Sequence, residues 1–274
     1  MKKLGIIGFG VMGEAFVTGL TRSTAAEPGA PASKSMPGPS IMVYDAKKER
    51  LEAARMLGGL EVAGSAAEVA RQADIILLCI KPQDAKALLP KIVESIRGKR
   101  VVSILAGTSI ATLSAGLETT EVARFMPNIA AVLGSALVGV SYHQDAGATF
   151  RGECMEIARA LGVPIEVPER LMAAVTGISG SGIAFALSFI HAMAQGGVAS
   201  GFDYATALRI AAQTVEGAAK LVADGTHPME LVSRVTSPAG TTIQGIRVLE
   251  RGGFAATVME AVEAAGRRAR ELEG

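Results

Sequence analysis

The chain has 274 residues, 49% hydrophobic and 19% charged. That length exceeds what one core usually organises, and charge this sparse predicts apolar surface buried between chains. A formal net charge of +1 gives no electrostatic case for nucleic acid or an anionic membrane as partner. Cys79 and Cys154, far apart and without neighbouring ligand residues, suggest neither a disulfide framework nor a metal site and fit a reducing cytoplasm.

After Met1-Lys2-Lys3 the apolar run is short and broken by Gly8, Gly10 and Gly13, so it reads as a strand and turn rather than a leader peptide. Segments 4–8, 41–45, 75–80, 101–105 and 122–126 are continuously apolar and β-rich, the pattern of parallel strands covered on both faces. Segments 13–22, 47–57, 65–72 and 84–97 between them read as helices. The alternation predicts an open α/β sheet, doubly wound, with helices on both sides. Residues 25–40 are rich in Pro, Gly, Ala and Ser and are predicted to form a mobile surface loop.

After about Glu166 strand signals stop. Helices are predicted at 170–198, 204–223, 228–234, 238–250 and 254–272, with the domain boundary at 165/166. Residues 171–202 contain no Asp, Glu, Lys or Arg, which is long enough to span a bilayer. Interspersed Gly, Ser, His191 and Gln195, no comparable second span and no close basic flank favour burial in a soluble protein, against a second subunit.

Gly8-Phe9-Gly10-Val11-Met12-Gly13 fits G-x-G-x-x-G between a strand and a helix, the context that a dinucleotide-phosphate site requires. Gly8 permits the tight turn, Gly10 lets the backbone approach a pyrophosphate, and Gly13 lets the helix pack closely. The acidic residue at the end of the second strand is Asp45, placed to accept from a ribose 2′-hydroxyl and favour NAD. Lys47, Lys48 and Arg50 follow at once and offer charge to a 2′-phosphate, so NADP and NAD both remain open. His143, His191 and His227 read as structural.

Ser237-Pro238-Ala239-Gly240-Thr241-Thr242 is the second sharp feature. Ser237 is expected as N-cap and Pro238 as first helical residue, with the N–H groups of Ala239, Gly240 and Thr241 presented to a carboxylate. With its continuation through Gln244-Gly245 to Arg251-Gly252-Gly253-Phe254, this segment resembles the signature of the pyrroline-5-carboxylate reductase family. Ile80-Lys81-Pro82-Gln83, residues 103–107, Arg124-Phe125-Met126-Pro127-Asn128 and residues 174–182 resemble the family in order and spacing along essentially the whole chain.

The resemblance implies a Rossmann domain at 1–165, followed by an all-helical dimerisation and substrate domain at 166–274 that interlocks with a second subunit. Relatives form larger rings of such dimers. It also implies reduction of 1-pyrroline-5-carboxylate to proline with NADPH or NADH. The family's cofactor contacts fall on residues 8–12, on Ile80, Lys81 and Pro82, and near Ala106 and Gly107. Its substrate contacts fall on Ser237, Ala239, Gly240 and Thr241, and Thr242 matches the threonine whose hydroxyl faces the ring nitrogen. Lys81, read from its own context, is equally a surface residue shaping a turn.

Three departures bear on the substrate. Ile129-Ala130 stands where the family usually has Thr-Pro, Ile183 where it usually has Pro, and Ala66 where many relatives have Asn. They leave open a reductase of another cyclic imino acid, or a regulatory protein that binds NAD(P) without turnover. The intact segment 237–242 argues against the regulator. A 3-hydroxyacid dehydrogenase needs a general base, commonly Lys or His, and the chain has no lysine between Lys99 and Lys220.

Overall fold

The computed structural model describes residues 2–24 and 40–273. The predicted loop at 25–40 lies outside the described residues, except for Ser40, which opens a strand. In chain order the first part comprises β1 (Lys3–Ile7), α1 (Val11–Thr24), β2 (Ser40–Tyr44), α2 (Lys48–Leu57), β3 (Glu61–Val62), α3 (Ala66–Gln72), β4 (Ile75–Leu78), α4 (Pro82–Ile96) and β5 (Arg100–Ser103). It continues with α5 (Ile110–Leu117), β6 (Val122–Pro127), β7 (Ala136–Tyr142), α6 (Ala148–Arg159) and β8 (Gly162–Glu166).

The strands form one sheet in the order β3-β2-β1-β4-β5-β6-β7-β8, parallel throughout except for the antiparallel β6–β7 pair. Side-chain alternation divides the core between the two faces. On β4, Ile75 and Leu77 join Phe16, Phe125 and Phe150 on one side; Ile76 and Leu78 join Val69, Ile92 and Leu113 on the other. Burial on both faces explains why these strands read as unbroken apolar runs. The result is a doubly wound sheet of Rossmann type.

Three strands and two helices of this part were not in the predicted set. β3 has only two residues. β7 carries Gly139 at its centre, which reads as a break; the glycine is there because a Cβ would come within 2.8 Å of Val175 Cγ1. β8 contains Pro164, tolerated because the strand lies at the sheet edge. α5 is capped by Ser109, which accepts from the Thr112 N–H, and α6 buries Phe150, Cys154 and Ile157.

After β8 the chain is helical: α7 (Met172–Val175), a π-helical stretch at Thr176–Ser181, then α8 (Gly182–Ala199), α9 (Tyr204–Ala223), α10 (Pro228–Arg234), α11 (Thr241–Arg251) and α12 (Phe254–Glu273). Glu169 fastens the entry to this part: its Oε1 accepts from the Ile110 N–H at 2.7 Å and lies 3.3 Å from Nη1 of the buried Arg124. The chain divides into two compact units, Met1–Gly180 with Ala265–Gly274, and Ser181–Ala264.

The second unit has almost no core of its own. Ala194, Ala207 and Ala211 are its buried hydrophobic residues. α8 and α9 meet through small side chains: a Cβ on Gly197 would lie 2.9 Å from Ala207 Cβ. Phe189 and Phe254 pack with ring centroids 5.8 Å apart. Larger apolar groups, among them Leu187, Val198, Leu208, Ile210 and Val248, are exposed on the isolated chain. The run Glu169–Ala199 is apolar and long enough to cross a membrane, with few of its residues buried within the chain. A helix apolar on all sides needs cover, and these exposed groups are what a second chain would bury.

Candidate active site

In the register of the sheet Ile7 pairs with Tyr44 on one side and Leu78 on the other, and Leu78 pairs with Ser103. The last residues of β1, β2, β4 and β5 therefore stand in one row. From that row emerge residues 8–13, Asp45, Ile80-Lys81-Pro82 and Ala106-Gly107, so every residue expected to contact the cofactor lies along one carboxyl edge. The order β2-β1-β4-β5 puts the reversal of winding between β1 and β4. Open α/β sheets bind ligands in the crevice at that point.

The three glycines of the loop differ in what surrounds them. Gly8 has φ +101°, and a Cβ there would lie 2.5 Å from the Cys79 carbonyl oxygen and 2.8 Å from Ile80 Cγ2. A Cβ on Gly13 would overlap the Gly8 carbonyl oxygen, so only glycine lets α1 pack this close. At Gly10 nothing lies within 4 Å of the Cβ position. That bare approach to the backbone is what a pyrophosphate needs, and the site fits a dinucleotide on this ground. α1 opens at Val11, two residues earlier than predicted, so Val11, Met12 and Gly13 form its first turn. Their N–H groups have no intrahelical acceptor and face anions with the positive end of the helix dipole.

The remaining cofactor candidates follow the ends of β2, β4 and β5. The carboxylate of Asp45 accepts from the Phe9 N–H at 2.7 Å and from the Lys47 N–H at 2.9 Å. Lys81 occupies the N-cap position of α4 with Pro82 as first helical residue, and its side chain is exposed. Ala106 and Gly107 form the turn after β5, with Gly107 at φ +71°. Beside Gly8, burial pushes the Cys79 thiol well above its usual pKa range, so it stays protonated and is a poor nucleophile.

Residues 237–242 lie in the second unit, and here the structure corrects the prediction. Ser237 is not an N-cap and Pro238 is not the first helical residue: α11 begins at Thr241, with Gly240 in the cap position and no side-chain cap. Residues 237–240 instead form a turn closed by the Gly240 N–H donating to the Ser237 carbonyl at 3.1 Å. Pro238 at its second position and Ala239 at φ +56° at its third are the pattern of a type II turn. Glycine is the usual residue in that left-handed region, and an alanine there carries strain of about 1–2 kcal/mol. A Cβ on Gly240 would collide with the Ser237 hydroxyl. The N–H groups left open at the start of the helix are thus those of Thr241, Thr242 and Ile243, while the Gly240 N–H is spent on the Ser237 carbonyl.

The histidines are held in local contacts. His191 Nδ1 lies 2.8 Å from the Tyr204 hydroxyl, His227 accepts from the Met229 N–H, and His143 accepts from the Asp145 N–H. One contact was not visible in the sequence. Asn128, at the end of β6, donates from Nδ2 to Ser179 Oγ at 2.9 Å, inside the π-helical stretch, while its Oδ1 accepts from the Ala130 N–H.

Two family comparisons each match a part of the chain. Residues 169–272 match pyrroline-5-carboxylate reductase dimerisation, and residues 3–107 match NADP oxidoreductase coenzyme F420-dependent. The pyrroline-5-carboxylate reductase of Methanosarcina acetivorans is 41% identical over 99% of this chain and 98% of its own. The chain belongs to the pyrroline-5-carboxylate reductase family. Among solved reductases of the family, that of Coxiella burnetii superposes with a TM-score of 0.87 at 26% identity, covering 100% of this chain and 99% of its own. The Plasmodium falciparum pyrroline carboxylate reductase with NADP bound gives 0.84 at 26% identity, covering 100% and 98%.

The departures from the family's usual residues fall at defined places. Ile129 and Ala130 begin a short 3-10 turn, Ile129–Leu133, capped by Asn128. Ile183 is the second residue of α8, directly after the π-helical stretch. Ala66 opens α3 behind Ser65, which accepts from the Glu68 N–H at 3.1 Å.

Gly13→Ala should be the most damaging single change in the loop. The added methyl meets backbone rather than a movable side chain, so α1 must shift away from β1. Overpacking of this kind costs about 1–3 kcal/mol. A lower thermal midpoint together with loss of cofactor binding by titration is the expected outcome; wild-type binding would show that the close contact is dispensable.

Proposed function

We propose that the chain reduces 1-pyrroline-5-carboxylate to L-proline by hydride transfer from NADPH or NADH, as a step of proline biosynthesis. One observation carries this reading. The family-like segments 8–13, 80–83, 103–107 and 124–128 are the segments that the fold gathers at the carboxyl ends of β1, β4, β5 and β6.

In this reading residues 1–165 hold the cofactor and 166–274 supply dimerisation and substrate contacts. Gly8, Phe9, Gly10, Val11, Met12 and Gly13 cradle the pyrophosphate, Asp45 shapes the adenosine end, and Ile80, Lys81, Pro82, Ala106 and Gly107 line the way to the nicotinamide. The bound dihydronicotinamide supplies the hydride. Ser237, Ala239, Gly240 and Thr241 form the substrate cradle, with the open N–H groups at the start of α11 holding the carboxylate. Thr242 sits at the second position of that helix, and its hydroxyl accepts from the protonated ring nitrogen. A protonated imine is already electrophilic, so holding its carbon at near-attack distance matters more than a strong side-chain acid. The working unit is a homodimer in the cytoplasm, with a small-molecule substrate and neither nucleic acid nor membrane as partner.

The direct test is turnover. Purified protein should oxidise NADPH or NADH only when 1-pyrroline-5-carboxylate is added. Absence of turnover with both cofactors would overturn the assignment, and turnover confined to another cyclic imine would redirect it. Thr242→Ala should lower kcat about 10- to 100-fold, the worth of one hydrogen bond to a charged group, with cofactor affinity unchanged. An unchanged kcat would remove Thr242 from the chemistry. Leu187→Glu, at a position 59% exposed on the isolated chain, should shift the sedimenting species from dimer towards monomer; an unaltered dimer would place the interface elsewhere.

A further inference from the structure

We infer that Asp45 is a positioning residue for the glycine loop, acting on either nicotinamide cofactor alike, and not the group that discriminates between them. This inference rests on the cofactor crevice described above but is independent of which imine is reduced.

The observation is the direction in which its carboxylate is spent. Oδ2 accepts from the Phe9 N–H and Oδ1 from the Lys47 N–H. One side chain thereby ties the β1–α1 turn to the β2–α2 turn. A second tie lies next to it, because the Gly8 N–H donates to the Tyr44 carbonyl at 2.8 Å. The loop is thus fastened to the end of β2 at two consecutive residues, once by main chain and once by Asp45. Phe9 adds a third anchor through a side chain fully buried in the core. Charge-assisted bonds from a carboxylate to main-chain N–H groups are about twice as strong as neutral ones.

What this holds still is functionally exposed. Directly after Phe9 come the bare Cα of Gly10 and the open N–H groups of Val11, Met12 and Gly13. Fixing them before the ligand arrives removes an ordering cost from binding. The pyrophosphate is common to both cofactors, so a device acting on this loop cannot tell them apart. The surroundings also work against Asp45 as a repeller of a 2′-phosphate. Lys47, Lys48 and Arg50 follow it, and among the described residues the side chain of none of the three has an ion-pair or hydrogen-bond partner.

The test compares Asp45→Asn and Asp45→Ala with wild type, titrating the apo-proteins with NADPH and separately with NADH by nicotinamide fluorescence, alongside thermal melts. The expected result is weaker binding of both cofactors by the same factor, about tenfold for Asp45→Ala. Asp45→Asn, which keeps one acceptor, should fall in between, and the ratio of the two dissociation constants should match wild type. Tighter NADPH binding with weaker NADH binding in Asp45→Asn would overturn the inference, because it would show Asp45 reading the ribose. Unchanged binding of both in a folded Asp45→Asn protein would overturn it too. Wild-type protein that binds neither cofactor sinks the crevice and this inference together; wild-type protein that binds but does not reduce the imine sinks only the reaction, and the titrations still decide Asp45.

Discussion

The contact between Gly8 and the carbonyl of Cys79 sets the geometry on which the rest of the crevice depends. β1 and β4 are neighbours in the sheet, yet the chain leaves them for opposite faces, so the turn after β1 must pass close over the end of β4. A side chain at Gly8 would push that turn off, and one at Gly13 would push off the helix behind it. With both absent, α1 starts directly above the strand ends and its open N–H groups face the place where the sheet's winding reverses. Asp45 then ties this turn sideways to β2. Two missing methyl groups and one carboxylate thus turn a strand-to-helix connection into an anion cradle.

The two halves of the chain meet the requirement for burial differently. The sheet buries its inner strands on both faces with its own helices, and large side chains such as Phe16, Phe125 and Phe150 are fully enclosed. The helical unit encloses three alanines and leaves leucines, isoleucines and valines outside. Small residues along α8 and α9 bring these helices close enough to form a pair, but a pair of helices has only one shared side. The other sides are apolar as well, which is the sequence property that first pointed to a second subunit.

Much of this was legible in the sequence, for identifiable reasons. Strands such as β4 were visible because burial on both faces makes them continuously apolar, and α9 and α10 because their helical pattern is punctuated by Gly201 and Gly225. β7 and β8 were hidden by Gly139 and Pro164, each of which breaks a local pattern for a reason that lies elsewhere: the side chain of Val175 in one case, an edge position in the other. The start of α11 was misplaced because Ser-Pro is a strong local signal for a helix start, while the positive φ at Ala239 that turns the chain once more leaves no mark in its own residue type. Asp45 was expected at the end of the second strand and stands there, but the donors to its carboxylate were not visible, since the Phe9 N–H is 36 residues away in sequence. The pairing of Asn128 with Ser179 spans 51 residues and has no local signature at all.

A unit that encloses only Ala194, Ala207 and Ala211 has little to hold it folded alone. Its folding and its association with a second chain are then one event, and the free energy of that event contains the protein concentration. For such a chain there is no single melting temperature: the midpoint rises with concentration, and simple dilution acts as a denaturant of the helical half while the sheet, with its own enclosed core, is left standing.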